Sequence, residues 1–472
     1  MPHTPPSAGL DSLGSGPLPP NPAPPRAWRH RTVLKMLTIG SLVLLGLIPL
    51  TLIRGVLRER RARHDEAVAN ITSTWGGSQR IAGPMLIVPY KRQVKTWKDQ
   101  MLNGRLERVE LTETLVARAH FLPAELAVRG QVVSDRLHRG IYEALVYRTE
   151  LQVAGRFARP SFEEWKVAPE DVLWDEAKLV IAISDLRGAS EALSLKWGEE
   201  SLALVPAART GEVGPAVQTL LPRSPFSADT MDFAFALKLN GSGSLDFAPF
   251  GMQTRVHLSS PFPDPSFHGM LLPAQRRVTD AGFEADWQVS YYGRGYPQQW
   301  SDATGNPLEG ETVANSLFGV ALMPALDSYR YVERAIKYGI LFLALVFTAF
   351  FLFEARLLTR VHPFQYTLVG SALCLFYLAL LSLSEFISFG WAYLAGSVLA
   401  TALIAFYSAW VLGGARRAWL VAVGLAVIYA FLYVLLRQQE YALLYGTGAL
   451  FLALAAVMFA TRRLDWYARD EA

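Results

Sequence analysis

Cysteine is almost missing from this sequence: there is one, Cys374, in 472 residues. A lone cysteine excludes an intramolecular disulfide framework and any multi-cysteine metal site. A domain facing an oxidising compartment would have to hold its core without cross-links. Charge is scarce as well. Asp, Glu, Lys and Arg make up 18% of the chain and hydrophobic residues 51%, whereas an ordinary soluble domain carries about 25% charged residues. The net charge of +4 is small, and no long basic run offers the footprint of a nucleic-acid binder. Catalytic signatures are also missing: there is no G-x-x-x-x-G-K-[ST] phosphate loop, no H-E-x-x-H metal helix and no G-x-S-x-G nucleophile elbow. The eight histidines are scattered without ligand spacing. The sequence therefore nominates no catalytic residue, no metal ligand and no cofactor.

What the chain has in abundance is apolar sequence, and it is unevenly placed. Residues 1–25 hold nine prolines and little else of structural weight, a composition that cannot bury enough surface to offset ordering entropy. A disordered Pro-rich tail is expected there. Residues 33–53 are almost wholly apolar and follow Arg26, Arg29, Arg31 and Lys35. About 20 such residues cross the roughly 30 Å of bilayer hydrocarbon as a helix. A cleaved signal peptide would end in small residues, but Arg54-Gly-Val-Leu-Arg-Glu-Arg-Arg-Ala-Arg follows instead, so this is read as an uncleaved anchor. Residues 54–75 read as a charged helix continuing from it.

From Pro84 the pattern changes to short alternating or β-branched runs. Examples start at Met85, Thr114, Ala144, Lys178, Phe233, Ser244 and Trp287. Period-two alternation bounded by Gly, Pro, Asn and Asp reads as strands, and 54–332 is expected to be a β-rich, sandwich-like or multi-sheet domain. Ser242-Gly-Ser reads as a turn. Apolar spans then return near 338–353, 366–384, 387–411, 419–436 and 443–460, the first able to start near Glu333. Their short separators force antiparallel neighbours. The expected architecture is a membrane α-helical bundle of about six transmembrane helices, five of them in 334–460. A large extracytoplasmic β-rich domain is inserted between helix 1 and helix 2, and a short tail covers 461–472.

Basic residues set the orientation. Arg356 with Arg360, Arg416 with Arg417, and Arg462 with Arg463 follow the second, fourth and sixth spans. The alternate loops carry Glu385, or Arg437 balanced by Glu440. Both termini are thus expected in the cytoplasm and the β domain outside. Arg58, Arg60, Arg61 and Arg63 run against this scheme, but long domains translocate largely regardless of charge. Tyr441 and the Trp466-Tyr467 pair read as interfacial anchors, and the lipid bilayer is the first partner.

Polar residues at the spans are the next candidates. Ser382, Ser384 and Glu385 end the third span, where a carboxylate would serve a gate or proton relay if it were buried. Counting 1.5 Å per residue from Tyr366 instead places Glu385 near the interface. Glu354 and His362 fall at a boundary, and His362 precedes Pro363 in a turn. In the β domain the unusual turn and aromatic blocks are Trp75, Gly76, Gln79, Gly83 and Pro84; Arg139, Gly140 and Tyr142; and Pro265, Ser266 and Phe267. Such residues at element ends mostly serve turns and packing. No matched pair of broken spans suggests a secondary transporter.

A series of stretches, in order over residues 54–467, resembles one family. They are residues 71–90 (ITSTWGGSQRIAGPMLIVPY), 139–147 (RGIYEALVY), 184–188 (SDLRG), 265–269 (PSFHG), 282–287 (GFEADW), 334–338 (RAIKY), 362–370 (HPFQYTLVG), 381–385 (LSLSE) and 462–467 (RRLDWY). These look like the CreD family of bacterial inner-membrane proteins, from which the Pro-rich tail departs. The resemblance implies a multi-pass inner-membrane protein with a periplasmic domain. It also implies a role in cell-envelope integrity, within a stress response tied to a two-component system. It supplies no reaction and no catalytic residue. Three functions follow for testing: a non-catalytic protein whose outer domain binds an envelope component or partner, a transporter or channel using the helices, and a membrane-anchored enzyme.

Overall fold

The computed structural model describes residues 27–102, 105–189, 192–210, 214–304, 310–322, 328–357, 361–438 and 441–462. The tail expected over 1–25 and most of that over 461–472 lie outside these residues. Contacts sort the chain into two units, residues 1–58 with 328–472, and residues 59–327. The first unit opens with α1 (Ala27–Leu45) and the start of α2 (Leu47–Trp75), whose residues after Arg58 belong to the second unit. Only Gly46 separates them, and its N–H donates to the Leu42 carbonyl at 2.9 Å. Residues 34–75 therefore count as one long helix whose first part is apolar enough to span. The helix does not stop at Ile53, because the Arg, Glu, Leu and Ala that follow are strong helix formers.

The second unit is β-rich, as its alternation implied. Its strands begin with β1 (Gln79–Leu102), β2 (Arg105–Phe121), β3 (Glu125–Arg139), β4 (Tyr142–Ala158), β5 (Lys178–Ile183) and β6 (Ser194–Trp197). They continue with β7 (Glu200–Ala203), β8 (Val205–Thr210), β9 (Gly214–Leu220), β10 (Thr230–Ser242), β11 (Ser244–Phe247) and β12 (Gln253–Ser260). The last are β13 (Pro265–Gly269), β14 (Gln275–Thr279), β15 (Gly282–Ser290) and β16 (Gln299–Ser301), then the short helix α3 (Gly310–Ser316) and β17 (Phe318–Leu322).

One sheet has nine strands in the order β13-β17-β11-β1-β5-β9-β8, with β2 paired to β1 and β16 to β2. The other has eight, in the order β14-β15-β12-β3-β4-β10-β6-β7. A single apolar core draws on both. Leu86, Ile181, Phe247 and Val320 come from the first sheet, and Val153, Leu237, Leu258 and Trp287 from the second. Strand β15 alternates buried and exposed side chains along its length, the period-two signature of a sheet with one face on the core. The unit is thus a sandwich of two mostly antiparallel sheets.

The β1–β2 hairpin outruns its neighbours. Pairing of β1 with β5 ends at Ile87, and pairing of β2 with β16 covers only Ala119 to Phe121. From Lys91↔Val116 to Leu102↔Arg105 the two strands pair with each other and with no third strand among the described residues.

The helical unit resumes with α4 (Ser328–Lys337) and α5 (Gly339–Leu357), bent by 47° at Tyr338. It continues with α6 (Pro363–Ser384), α7 (Phe389–Val411), α8 (Ala415–Arg437) and α9 (Ala442–Thr461). Four helices are long and apolar enough to cross a membrane, and a fifth span follows if the bent pair counts as one. The expected count of six is thus met only to four or five among the described residues. In α9 the apolar stretch covers 444–459, about 24 Å of helix against about 30 Å of hydrocarbon.

Candidate functional site: a polar row on the nine-stranded sheet

The first sequence block, Trp75 to Gln79, forms the joint between the end of α2 and β1. The Trp75 indole N–H donates to the Tyr147 carbonyl at 3.3 Å, and the Arg148 guanidinium stands 5.2 Å from the ring centroid. Gly76 has φ +146°, and a Cβ there would lie 2.6 Å from the Asn240 carbonyl oxygen. Glycine is required at such a close approach in that conformation. Gln79 is fully buried, and its amide donates to the carbonyls of Asp185 (3.1 Å) and Asn240 (2.8 Å). Asp185 accepts from Gly77 N–H at 3.0 Å and from Arg187 Nε and Nη2 at 2.9 Å each. The Arg187 hydrogen bonds, ahead of the backbone donors, hold the Asp185 carboxyl down to about 2. This block closes its own hydrogen bonds and holds the fold together.

The second block, Arg139 to Tyr142, is the turn between β3 and β4, with Gly140 at φ +63°. Arg139 bonds the Asn70 side chain, and the Tyr142 ring meets His64 edge-on at 5.7 Å. These residues clamp a hairpin onto α2.

The third block places Phe267 and Ser266 on opposite faces of β13. Phe267 packs edge-on against Phe283 and Trp287 in the core. Ser266 and His268 point the other way by alternation. Strand register carries this second face across the sheet. His268 pairs with Gly319, Gly319 with Asp246, and Asp246 with Arg80. One step along, Ser266 pairs with Ala321 and Ala321 with Ser244, whose N–H reaches Ser78 Oγ at 3.4 Å. Two sequence blocks almost 190 residues apart thus contribute to one polar row.

Gly319 makes the row continuous. With no side chain on β17 at this point, His268 Nε2 comes within 2.8 Å of Asp246 Oδ1 across the intervening strand. Asp246 is 5% exposed, and its Oδ2 accepts from Ser244 Oγ at 2.7 Å. Oδ1 receives no hydrogen bond among the described residues, because the imidazole lies off the direction a hydrogen bond needs. A buried carboxylate oxygen without a donor is uncommon and costly. Ser78, Arg80 and Ser266 are exposed beside it. Chemically the row offers one guanidinium, one imidazole, one carboxylate and three hydroxyls. It is not arranged as a nucleophilic triad. Ser244 Oγ donates to the carboxylate, and His268 Nδ1 lies 3.4 Å from the Ser266 carbonyl oxygen and so serves no hydroxyl.

His362 and Glu385 stand at opposite ends of α6 in the helical unit. His362 Nδ1 accepts from Phe364 N–H at 3.2 Å while Gln365 accepts from His362 N–H at 2.9 Å, a capping box. Glu385 accepts from the Tyr329 hydroxyl at 3.3 Å. Sequence reasoning missed the partner of Glu354. Lys35 on α1 pairs with this buried carboxylate, which also accepts from Val361 N–H at 3.2 Å and Tyr366 OH at 3.0 Å. It also missed Asp246, Ser244, Ser78 and Arg80. The available signal was Gly319 between Phe318 and Val320, since glycine inside a strand marks a close approach. Among the described residues no group of three or more His, Cys, Asp or Glu could hold a metal ion.

The family model described as Inner membrane protein CreD matches residues 31–467. The protein of that name from Escherichia coli (strain K12) is 33% identical over 435 residues, covering 92% of this chain and 93% of its own.

Proposed function

Since the chain belongs to the CreD family of inner membrane proteins, we propose that it is a non-catalytic protein of envelope integrity whose β domain binds a polar envelope component. In this reading residues 54–332 face the periplasm, both termini are cytoplasmic, and the helices hold the domain close to the bilayer. The observation that carries the proposal is the Asp246 carboxylate, buried and short of a donor, within a row of exposed Ser78, Arg80 and Ser266. A ligand bearing hydroxyl or amide donors satisfies the Asp246 oxygen that the described residues leave without a donor. Two-ended attachment supports the same reading, because a domain tethered at both ends samples only what lies near the membrane.

The test is capture of soluble cell-wall fragments by the full-length protein in nanodiscs. Wild type should retain a fragment class that the combined Arg80→Ala and Asp246→Asn variant releases. Equal retention by both would sink the proposal. A transport role would rest on the helices instead, and Glu385→Gln would then abolish an envelope phenotype that it should leave intact here.

A further inference from the structure

We propose that the groove between α7 and α8 holds one glycerophospholipid, an acyl chain along its floor and the phosphate on Arg437 at its mouth. Both helices are long and apolar enough to cross a membrane, so bilayer hydrocarbon is the solvent of their outer faces. The groove has a volume of about 610 Å³. Ser397, Thr401 and Ala405 line it from α7, and Ala422, Ala426 and Ala430 from α8. Each set repeats every fourth residue and so lies on one helix face.

Small residues in this pattern usually let two membrane helices close together. Here aromatic rings prop them apart. The Tyr393 hydroxyl donates to the Tyr429 carbonyl at 2.7 Å, and the Tyr393 and Tyr433 rings lie 5.2 Å apart. Phe376 of α6 stands 5.4 Å from the Tyr393 ring and 4.7 Å from that of Tyr429. Leu394 and Val398, which also line the groove, are 51% and 56% exposed, so it opens to the outside of the helices. Left empty, its walls would forfeit dispersion contacts.

Shape and charge select the occupant. From Gly390 to Ala405 the groove runs about 22 Å, so its volume leaves a cross-section on the order of 30 Å². That admits a hydrocarbon chain about 4–5 Å across at carbon contact distance and refuses a helix about 10 Å across. The groove begins in the first turn of α7 and stops more than one turn short of Val411. Its mouth is therefore where α7 starts and α8 finishes. There the Arg437 guanidinium lies 5.9 Å from the ring centroid of Tyr433, a lining residue. Arg437 is exposed and pairs with no carboxylate among the described residues. Glu385, at the same end, accepts from Tyr329 instead. A guanidinium so placed takes a phosphate by charge-assisted hydrogen bonds, and a lipid whose chain fills the groove brings its phosphate to that level. In the topology proposed above, the mouth faces the periplasmic leaflet.

The test is titration of the delipidated full-length protein in detergent, read by native mass spectrometry. Dioleoyl phosphatidylglycerol should saturate at one tightly held lipid per chain. It should bind at least five-fold more tightly than dioleoylglycerol, which has the same chains and no phosphate. Arg437→Gln should erase that preference, and Arg416→Gln, at the other end of α8, should keep it. Ala426→Leu fills the groove and should weaken uptake of both lipids at least ten-fold, whereas Val423→Leu, on α8 outside the groove, should change neither. An unchanged Tm of the delipidated protein shows that each variant folds, and Thr401→Leu replaces Ala426→Leu if that one does not. No saturable uptake, equal uptake of the two lipids, a preference that survives Arg437→Gln, or uptake indifferent to filling the groove would each overturn the proposal.

Discussion

Replacing Gly319 by alanine plants a Cβ 2.1 Å from the Leu245 carbonyl oxygen, 2.8 Å from Asp246 Oδ1 and 2.9 Å from Asp246 Cα. Two of these three atoms are backbone and cannot rotate aside. Either β17 withdraws from β11, breaking the pairs from Ser244↔Ala321 to Phe247↔Phe318, or the Asp246 carboxylate leaves His268. Overpacking costs about 1–3 kcal/mol when side chains can adjust, and a backbone obstacle puts this site at the upper end. A loss of about 3 kcal/mol is roughly a 150-fold change in the opening equilibrium. Hydrogen exchange on the full-length protein in nanodiscs reads it directly. Peptides covering 244–247 and 318–322 should exchange on the order of 100-fold faster, while those of α6 to α8 stay as in wild type. Ala321→Ser, on the same strand and face where a Cβ already fits, should change nothing. Exchange in Gly319→Ala within threefold of wild type would refute the claim that this glycine is what lets Asp246 and His268 meet.

Two further predictions rest on charges. Asp185 has a carboxyl held down to about 2, so the stability it contributes is complete above its unfolded value near 4 and is lost as pH falls towards 2. Arg187 is 68% exposed, and water screens the pair, so Asp185→Asn should remove only about 1 kcal/mol of that pH dependence; acid denaturation with an unchanged slope would contradict this. In the helical unit, Lys35→Met leaves the buried Glu354 carboxylate without its cation and should cost about 2 kcal/mol of detergent thermostability, less than a fully buried pair because Lys35 is part-exposed. Adding Glu354→Gln should recover most of the loss, and a double variant no better than the single would show that the pair is not the cause.

Composition and periodicity carried the broad division legibly, because both reflect burial residue by residue. Apolar runs marked most of the helices, and alternating or β-branched runs such as 178–183 and 244–247 are β5 and β11. The six-span count was less legible, since Tyr338 bends one apolar stretch and α9 has only a short one. The polar row was not legible. It depends on register among β13, β17, β11 and β1, and one residue of slip would turn Asp246 and His268 into the core. Pro265 to Phe267 were singled out for turn chemistry, while His268 carries no local signal and Gly319 carries only that of a glycine inside a strand. Charge pairs were similarly hidden: Lys35 and Glu354 are 319 positions apart, and each alone reads as a membrane-boundary residue.

The order of strands in the larger sheet bears on how the protein is made. Strand β17 lies between β11 and β13, yet it is the last strand of the domain to leave the ribosome, six residues before α4 begins. Until then both neighbours have bare edges facing one another across an empty lane, the kind of template that recruits foreign strands. The nascent domain waits, nearly complete but unsealed, for its final strand. Long-range pairing of this kind is slow, so an intermediate with this open lane persists until β17 arrives. A chain stalled or clipped shortly before Phe318 would leave a domain with a cleft in its sheet, open to degradation.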